Sequence, residues 1–274
     1  MDKLTSILGF AEEIVGAPAL LDKAAYLARH FNARAEIVSD DLSVISLLNA
    51  RREEHGYEDV TLRGIRPQAG PRAQSLPPEV ERHGADLVLR SRRLVDNWKL
   101  AEALHVPLLL VGDGPWTPPL RIAAAVDVSE HETSTLARAI LQAAGFITLG
   151  SDGDLDVYYS ERETRDDATR MERAVRLAQM VREFHVGTER LRLLDGPPEQ
   201  SLTHEFAVGR YDILAIGAVT QRTGFAATFG NLSKRLADAS RGDVLLVPPA
   251  REAFATSRVS ARSGASRVAA AHSD

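Results

Sequence analysis

A chain of 274 residues with 44% apolar side chains is long enough for two ordinary domains, each with its own core. Its 33 Lys+Arg against 38 Asp+Glu leave a formal net charge of -5, which gives no general attraction for a nucleic acid backbone and sets nucleic acid aside as a partner. Cysteine is absent, which excludes disulfides, thiolate nucleophiles and cysteine-ligated metals.

The apolar runs are strand-sized, so no membrane span is expected, and Met1 to Phe10 lacks the pattern of a secretion signal. A cytoplasmic location follows as the expectation. In the first half, strands are predicted over 5–10, 34–39, 59–65, 86–90 and 107–111. Ala17 to Asn32 carries Ala17, Leu20, Leu21, Ala24, Leu27, Ala28 and Phe31 on a helical spacing, one buried stripe. Leu42 to Glu54 is a shorter helical segment. Gly112 to Pro119 is turn-rich and reads as a linker.

The second half alternates more clearly. Strands are predicted over 122–128, 146–150, 189–194, 211–217 and 243–247, and helices over 132–144, 163–184, 198–208 and 230–240. Apolar runs without strict alternation suit strands covered on both faces. Gly84-Ala85-Asp86-Leu87-Val88-Leu89 and Arg210-Tyr211-Asp212-Ile213-Leu214-Ala215 look like one segment used twice. The expected fold is α/β, two tandem open parallel-sheet, Rossmann-like domains over 1–114 and 120–249. The Ala/Ser/Arg-rich stretch 250–274 reads as a disordered tail.

One stretch has the composition of a binding site. Gly217 leaves a predicted strand, and the chain re-enters a helix near Gly230 and Asn231. Ligands of open α/β sheets bind at the carboxyl ends of strands, where glycine permits close approach and helix-opening N–H groups hold anionic oxygens. Asp127 ends the half's first strand on the same edge and can accept from ribose hydroxyls, while Arg222 can meet a phosphate. Equally, Gly224 and Gly230 read as loop and helix-start glycines, Asn231 as a cap and Asp127 as a turn residue. The residues alone leave both readings open.

Gly217, Thr220 where a second glycine is expected, Gly230 after nine intervening residues and Asn231 at a Ser/Thr position resemble the nucleotide-binding signature of the universal stress protein family, Gly-x2-Gly-x9-Gly-Ser/Thr. Asp127 matches the family's strand-one aspartate, and Val247-Pro248 its ending. Arg222-Thr223-Gly224 before Gly230-Asn231 resembles the tandem, type E-like branch.

The resemblance implies a bacterial, non-enzymatic stress-response protein that binds or regulates and requires no cofactor. It implies ATP or AMP, bound weakly, as the ligand of the second half, with hydrolysis at most slow. It also implies an internal pseudo-dimer through the fifth strands, Leu108 to Val111 against Leu245 to Val247, and allows a homodimer of tandem chains. The alternative is a nucleotide-free scaffold or regulator holding a protein partner or an apolar, lipid-like ligand against Phe225 and Phe229.

The first half departs from the pattern. Gly9-Phe10-Ala11 shows no acid at the place of Asp127, and Arg90 to Trp98 contains no glycine. No nucleotide is expected there, and Arg90, Arg92 and Arg93 are expected on a solvated face. The eight histidines form no close-spaced ligand pattern, and no H-E-x-x-H or G-x-S-x-G motif is present. Asp152 and Asp154 read as solvated turn carboxylates.

Overall fold

The computed structural model describes residues 3–66, 72–128, 133–160, 167–184, 186–218 and 226–249. In chain order the first half comprises β1 (Ser6–Phe10), α1 (Ala17–Phe31), β2 (Arg34–Ser39), α2 (Leu42–His55), β3 (Val60–Gly64), α3 (Arg72–Ser75), α4 (Pro77–His83), β4 (Leu87–Ser91), α5 (Asn97–Ala103) and β5 (Leu108–Val111). The second comprises β6 (Arg121–Ala125), α6 (Thr133–Gly150), β7 (Asp154–Ser160), α7 (Asp167–Glu183), β8 (Leu191–Leu194), α8 (Pro198–Val208), β9 (Ile213–Gly217), α9 (Ala226–Ala239) and β10 (Asp243–Val247). The predicted tail 250–274 lies outside the described residues.

Local chemistry sets many of these boundaries. The Asp41 carboxylate accepts from the Ser43 N–H at 2.8 Å and caps α2, and Gly56 ends that helix at φ 64, a left-handed turn that costs glycine nothing. Pro at the opening of α1 fits a turn whose N–H groups have no partner, and Asn32 closes it in the same left-handed region.

The strands of the described residues join one ten-stranded sheet, in the order β3-β2-β1-β4-β5-β10-β9-β6-β7-β8. Every pairing within a half is parallel. The halves meet antiparallel, with Val244 opposite Leu110, Leu245 opposite Leu109 and Leu246 opposite Leu108. A pseudo-two-fold axis therefore passes between Leu109 and Leu245. Two apolar clusters cover the two faces of the sheet, and each runs through both halves. Burial repeats between the halves as well: Ala17, Leu20, Leu21, Lys23, Ala24 and Leu27 of α1 correspond to Ala137, Ile140, Leu141, Ala143, Ala144 and Ile147 of α6.

Contacts between the halves go beyond the central strands. The Phe31 and Phe146 rings stack at 4.8 Å between centroids, and a Cβ at Gly150 would lie 2.0 Å from the Phe31 ring, so a side chain there would displace the ring. Lys23 of α1 reaches Asp243 of β10 at 2.8 Å, with side chains only 4% and 3% exposed. Lys23 Nζ also donates to the Gly112 carbonyl at 2.9 Å, and the Gly112 N–H donates to Asp243 Oδ1 at 2.8 Å. Burial pushes the Asp243 carboxyl above the usual carboxylate range, against the opposing pull of Lys23 and the Gly112 amide.

One predicted stretch is corrected. The strand expected over 146–150 is the end of α6, because Ile147 continues the buried stripe of Ile140, Leu141 and Ala144 at helical spacing. The strand comes later, as β7, where Leu155, Val157 and Tyr159 belong to one apolar cluster and Tyr158 to the other. Asp154 therefore opens a strand instead of lying in a turn, and Arg190 pairs with it and with Asp156.

Candidate functional site

The connectivity creates two equivalent crevices. From β6 the chain winds outward through β7 and β8, then crosses back to β9 and β10 on the other side of β6. The carboxyl ends of β6 and β9 thus flank a topological switch point, the usual ligand position in an open α/β sheet. The ends of β1 and β4 flank the other, in the first half.

At the second-half crevice, Asp127 lies two residues beyond β6 and is half-buried. Gly217 is the last residue of β9, and the register of Ala124 with Ala215 brings it level with Val126. A Cβ on Gly217 would stand 2.7 Å from Leu136 Cδ2, so the missing side chain lets α6 pack against the strand end. Helix α9 opens at Ala226, earlier than the predicted 230. The N–H groups without intrahelical acceptors are therefore those of Ala226 to Phe229, while Gly230 and Asn231 lie in the next turn. Thr220, Arg222, Gly224 and Phe225 lie outside the described residues, as do the side chains of Phe229 and Asn231.

The first-half crevice is filled by the chain itself. Two residues beyond β1 stands Glu12, the register equivalent of Asp127: Ala11 N–H donates to the Val38 carbonyl of β2 as Val126 N–H donates to the Tyr158 carbonyl of β7, each at 3.0 Å. The expectation of no acid here is thereby corrected. Arg90, the penultimate residue of β4, is 1% exposed. Its Nε donates to Glu12 Oε2 at 2.5 Å and its Nη2 to Glu12 Oε1 at 3.2 Å, while Nη1 donates to Asp96 Oδ1 at 2.6 Å and Asn97 Oδ1 at 3.0 Å. Asn97 Nδ2 in turn donates to the Ser91 carbonyl at 3.0 Å.

The expected solvated arginine face is corrected with it. Arg92 crosses to the second half, where it donates to the Gly242 carbonyl at 2.7 Å and to the Ala237 carbonyl in the last turn of α9. A cation is favourable at that end of the helix dipole. Only Arg93, paired with Asp113, is exposed as expected.

Two further polar groups tie elements of the sheet together. The repeated aspartates Asp86 and Asp212 each accept a backbone N–H from the start of the neighbouring first strand, from Ser6 at 3.1 Å and Arg121 at 2.8 Å. Between β7, α8 and the approach to β9, the Tyr158 hydroxyl bonds that of Tyr211 and donates to Glu205 at 3.1 Å. Burial, then the Tyr211 bond, pushes the Tyr158 phenol up. Among the described residues no group of three or more His, Cys, Asp or Glu side chains is placed to hold a metal ion. Nor is any helix there long and apolar enough to cross a membrane.

No protein-family model matches the chain, and no curated protein does. Solved structures do. A protein of Pseudomonas aeruginosa UCBPP-PA14 assigned to the universal stress proteins aligns with TM-score 0.73 at 21% identity, over 90% of this chain and 94% of its own. A functionally unknown protein from Pseudomonas aeruginosa PAO1 aligns with TM-score 0.69 at 21% identity, over 90% and 93%. A universal stress protein from Archaeoglobus fulgidus DSM 4304 aligns with TM-score 0.60 at 13% identity, over 89% and 97%. Identities this low show a shared fold.

Proposed function

We propose that the chain is a tandem, type E-like universal stress protein: two copies of one domain, over 1–114 and 120–249, joined as an internal pseudo-dimer. It acts in the bacterial cytoplasm by binding or regulation, not by catalysis. The observation that carries this reading is the antiparallel pairing of β5 with β10, which fuses two like-ordered parallel halves into one sheet. The same fold extends along nearly all of the universal stress proteins it resembles.

ATP or AMP is the ligand, held weakly at the second-half crevice. Asp127 accepts from the ribose hydroxyls, and the phosphates lie near Gly217, Arg222 and the amides that open α9. Thr220, Gly230 and Asn231 shape the loop and the helix mouth around them. No cofactor is required, and hydrolysis is at most slow. A second reading, a nucleotide-free scaffold for a protein partner or an apolar ligand, draws support from Gly217, whose lack of a side chain is already accounted for by Leu136. Thr220 favours it too, since a Cβ there restricts the backbone where the family pattern has glycine.

Mass spectrometry of small molecules released from the native protein separates nucleotide, apolar ligand and neither. In equilibrium titration with ATP, Asp127→Ala is expected to weaken binding about 10- to 100-fold, the loss of a charge-assisted hydrogen bond of about 1.5–3 kcal/mol. Thr220→Gly is expected to strengthen it. No binding by the parent or by Thr220→Gly rejects the nucleotide reading in favour of the scaffold.

A further inference from the structure

We propose that Arg90 is an internal latch: its guanidinium ties the loop after β1 to the loop after β4 and closes the first-half crevice from within, whatever the second half binds. The two halves differ at the position that supplies the latch. The penultimate residue of β9 is Ile216, buried and without a donor, where β4 carries Arg90. From there Arg90 reaches Glu12 on one loop, and Asp96 and Asn97 on the other. A planar fork of N–H donors suits such a divided set of acceptors, since it can pair with one carboxylate side-on and still reach a second.

Apolar burial is slight in these loops, confined to Ala11 and a half-buried Leu94. Ile14 and Val15 of the first loop are 54% and 58% exposed, and Val95 of the second is 99% exposed. Their hydrocarbon lies in solvent, while Glu12 and Asp96 of the same loops turn inward to a buried arginine. The inversion makes sense if the loops are shut by the ion cluster. A small molecule entering between β1 and β4 would meet a carboxylate already paired and a crevice already occupied.

Hydrogen exchange of the full chain, followed by mass spectrometry, tests this. Arg90→Ala is expected to raise amide exchange in 11–16 and 92–96 at least tenfold, with β5 and β10 unchanged. Methylguanidinium at millimolar concentration is expected to restore the protection, and sodium chloride at equal ionic strength is not. Unchanged exchange in both loops, or failure of methylguanidinium to restore it, overturns the latch. Should Arg90→Ala not fold, Glu12→Gln decides. It keeps the side-chain size and the Arg90–Asp96 pair, so exchange is expected to rise in 11–16 alone, and unchanged protection there overturns the proposal.

Discussion

The two switch points share a backbone and differ in what fills them. At the first, Glu12, Arg90 and Ser91 occupy the register positions held at the second by Asp127, Ile216 and Gly217. The same contrast recurs beside the pseudo-two-fold axis. Lys23 of α1 meets Asp243, whereas the equivalent places of the other half are Ala143 and Pro107. Charged side chains of the first half reach inward and across to the second, as Lys23 and Arg92 do. The first half thus satisfies its own crevice and braces its neighbour.

The largest break in this contrast is expected from Lys23→Met. It strands the buried Asp243 carboxylate and should cost about 3–5 kcal/mol in urea unfolding near neutral pH, whereas adding Asp243→Asn should recover at least half. The pH dependence fixes the cause. Burial already raises the folded-state pKa of Asp243, and loss of Lys23 raises it further. A raised carboxyl pKa means that the folded state binds the proton more tightly than the unfolded state. The penalty is therefore fully present above the folded pKa and fades as pH falls toward the ordinary carboxylate range. Unfolding at pH 7.5 and pH 5 should show the larger loss at pH 7.5.

Arg92→Ala tests the brace. Removing its bonds to the carbonyls of Ala237 and Gly242 should cost about 1.5–3 kcal/mol. Arg93→Ala, which breaks only an exposed pair, should leave the unfolding midpoint unchanged. Equal effects would mean that the first half does not brace the second through this loop.

The smallest expected loss of stability is the most discriminating for the crevice. Gly217→Ala forces Leu136 to give way and should lower stability by about 1 kcal/mol in thermal unfolding. A variant that keeps full stability but loses ATP affinity would show that the glycine serves a ligand instead of a helix.

The architecture was legible because apolar strand runs and helical stripes are local. The bounds of β2, α8 and β10 are those predicted from spacing alone. The error at 146–150 arose where a helix stripe ends in the apolar Phe146 and Ile147, which also suit a strand. The strand that follows was hidden by Asp154 and Asp156, whose charges are neutralised by an arginine distant in sequence. The first-half crevice was illegible for a related reason. Glu12 equals Asp127 only in sheet register, and nothing near Arg90 in sequence announces that it is buried. Lys23, likewise, sits inside an apolar stripe, and its partner lies 220 residues away. At the second-half crevice, Gly217 and Asp127 were visible as strand-end residues, but Gly217 packs against Leu136, which is distant in sequence.

The pairing of β5 with β10 has a consequence for synthesis. Leu245 follows Leu109 by 136 residues, so at about 5–20 residues per second the outer edge of β5 waits roughly 7–27 s for its partner. Throughout that interval a nascent chain offers an unpaired edge of Leu108, Leu109, Leu110 and Val111. Because Leu109 lies beside the axis, the edge is close to self-complementary, and neighbouring chains on one message can join β5 to β5. Translation speed, as much as contact energy, therefore governs which strand the first half meets first.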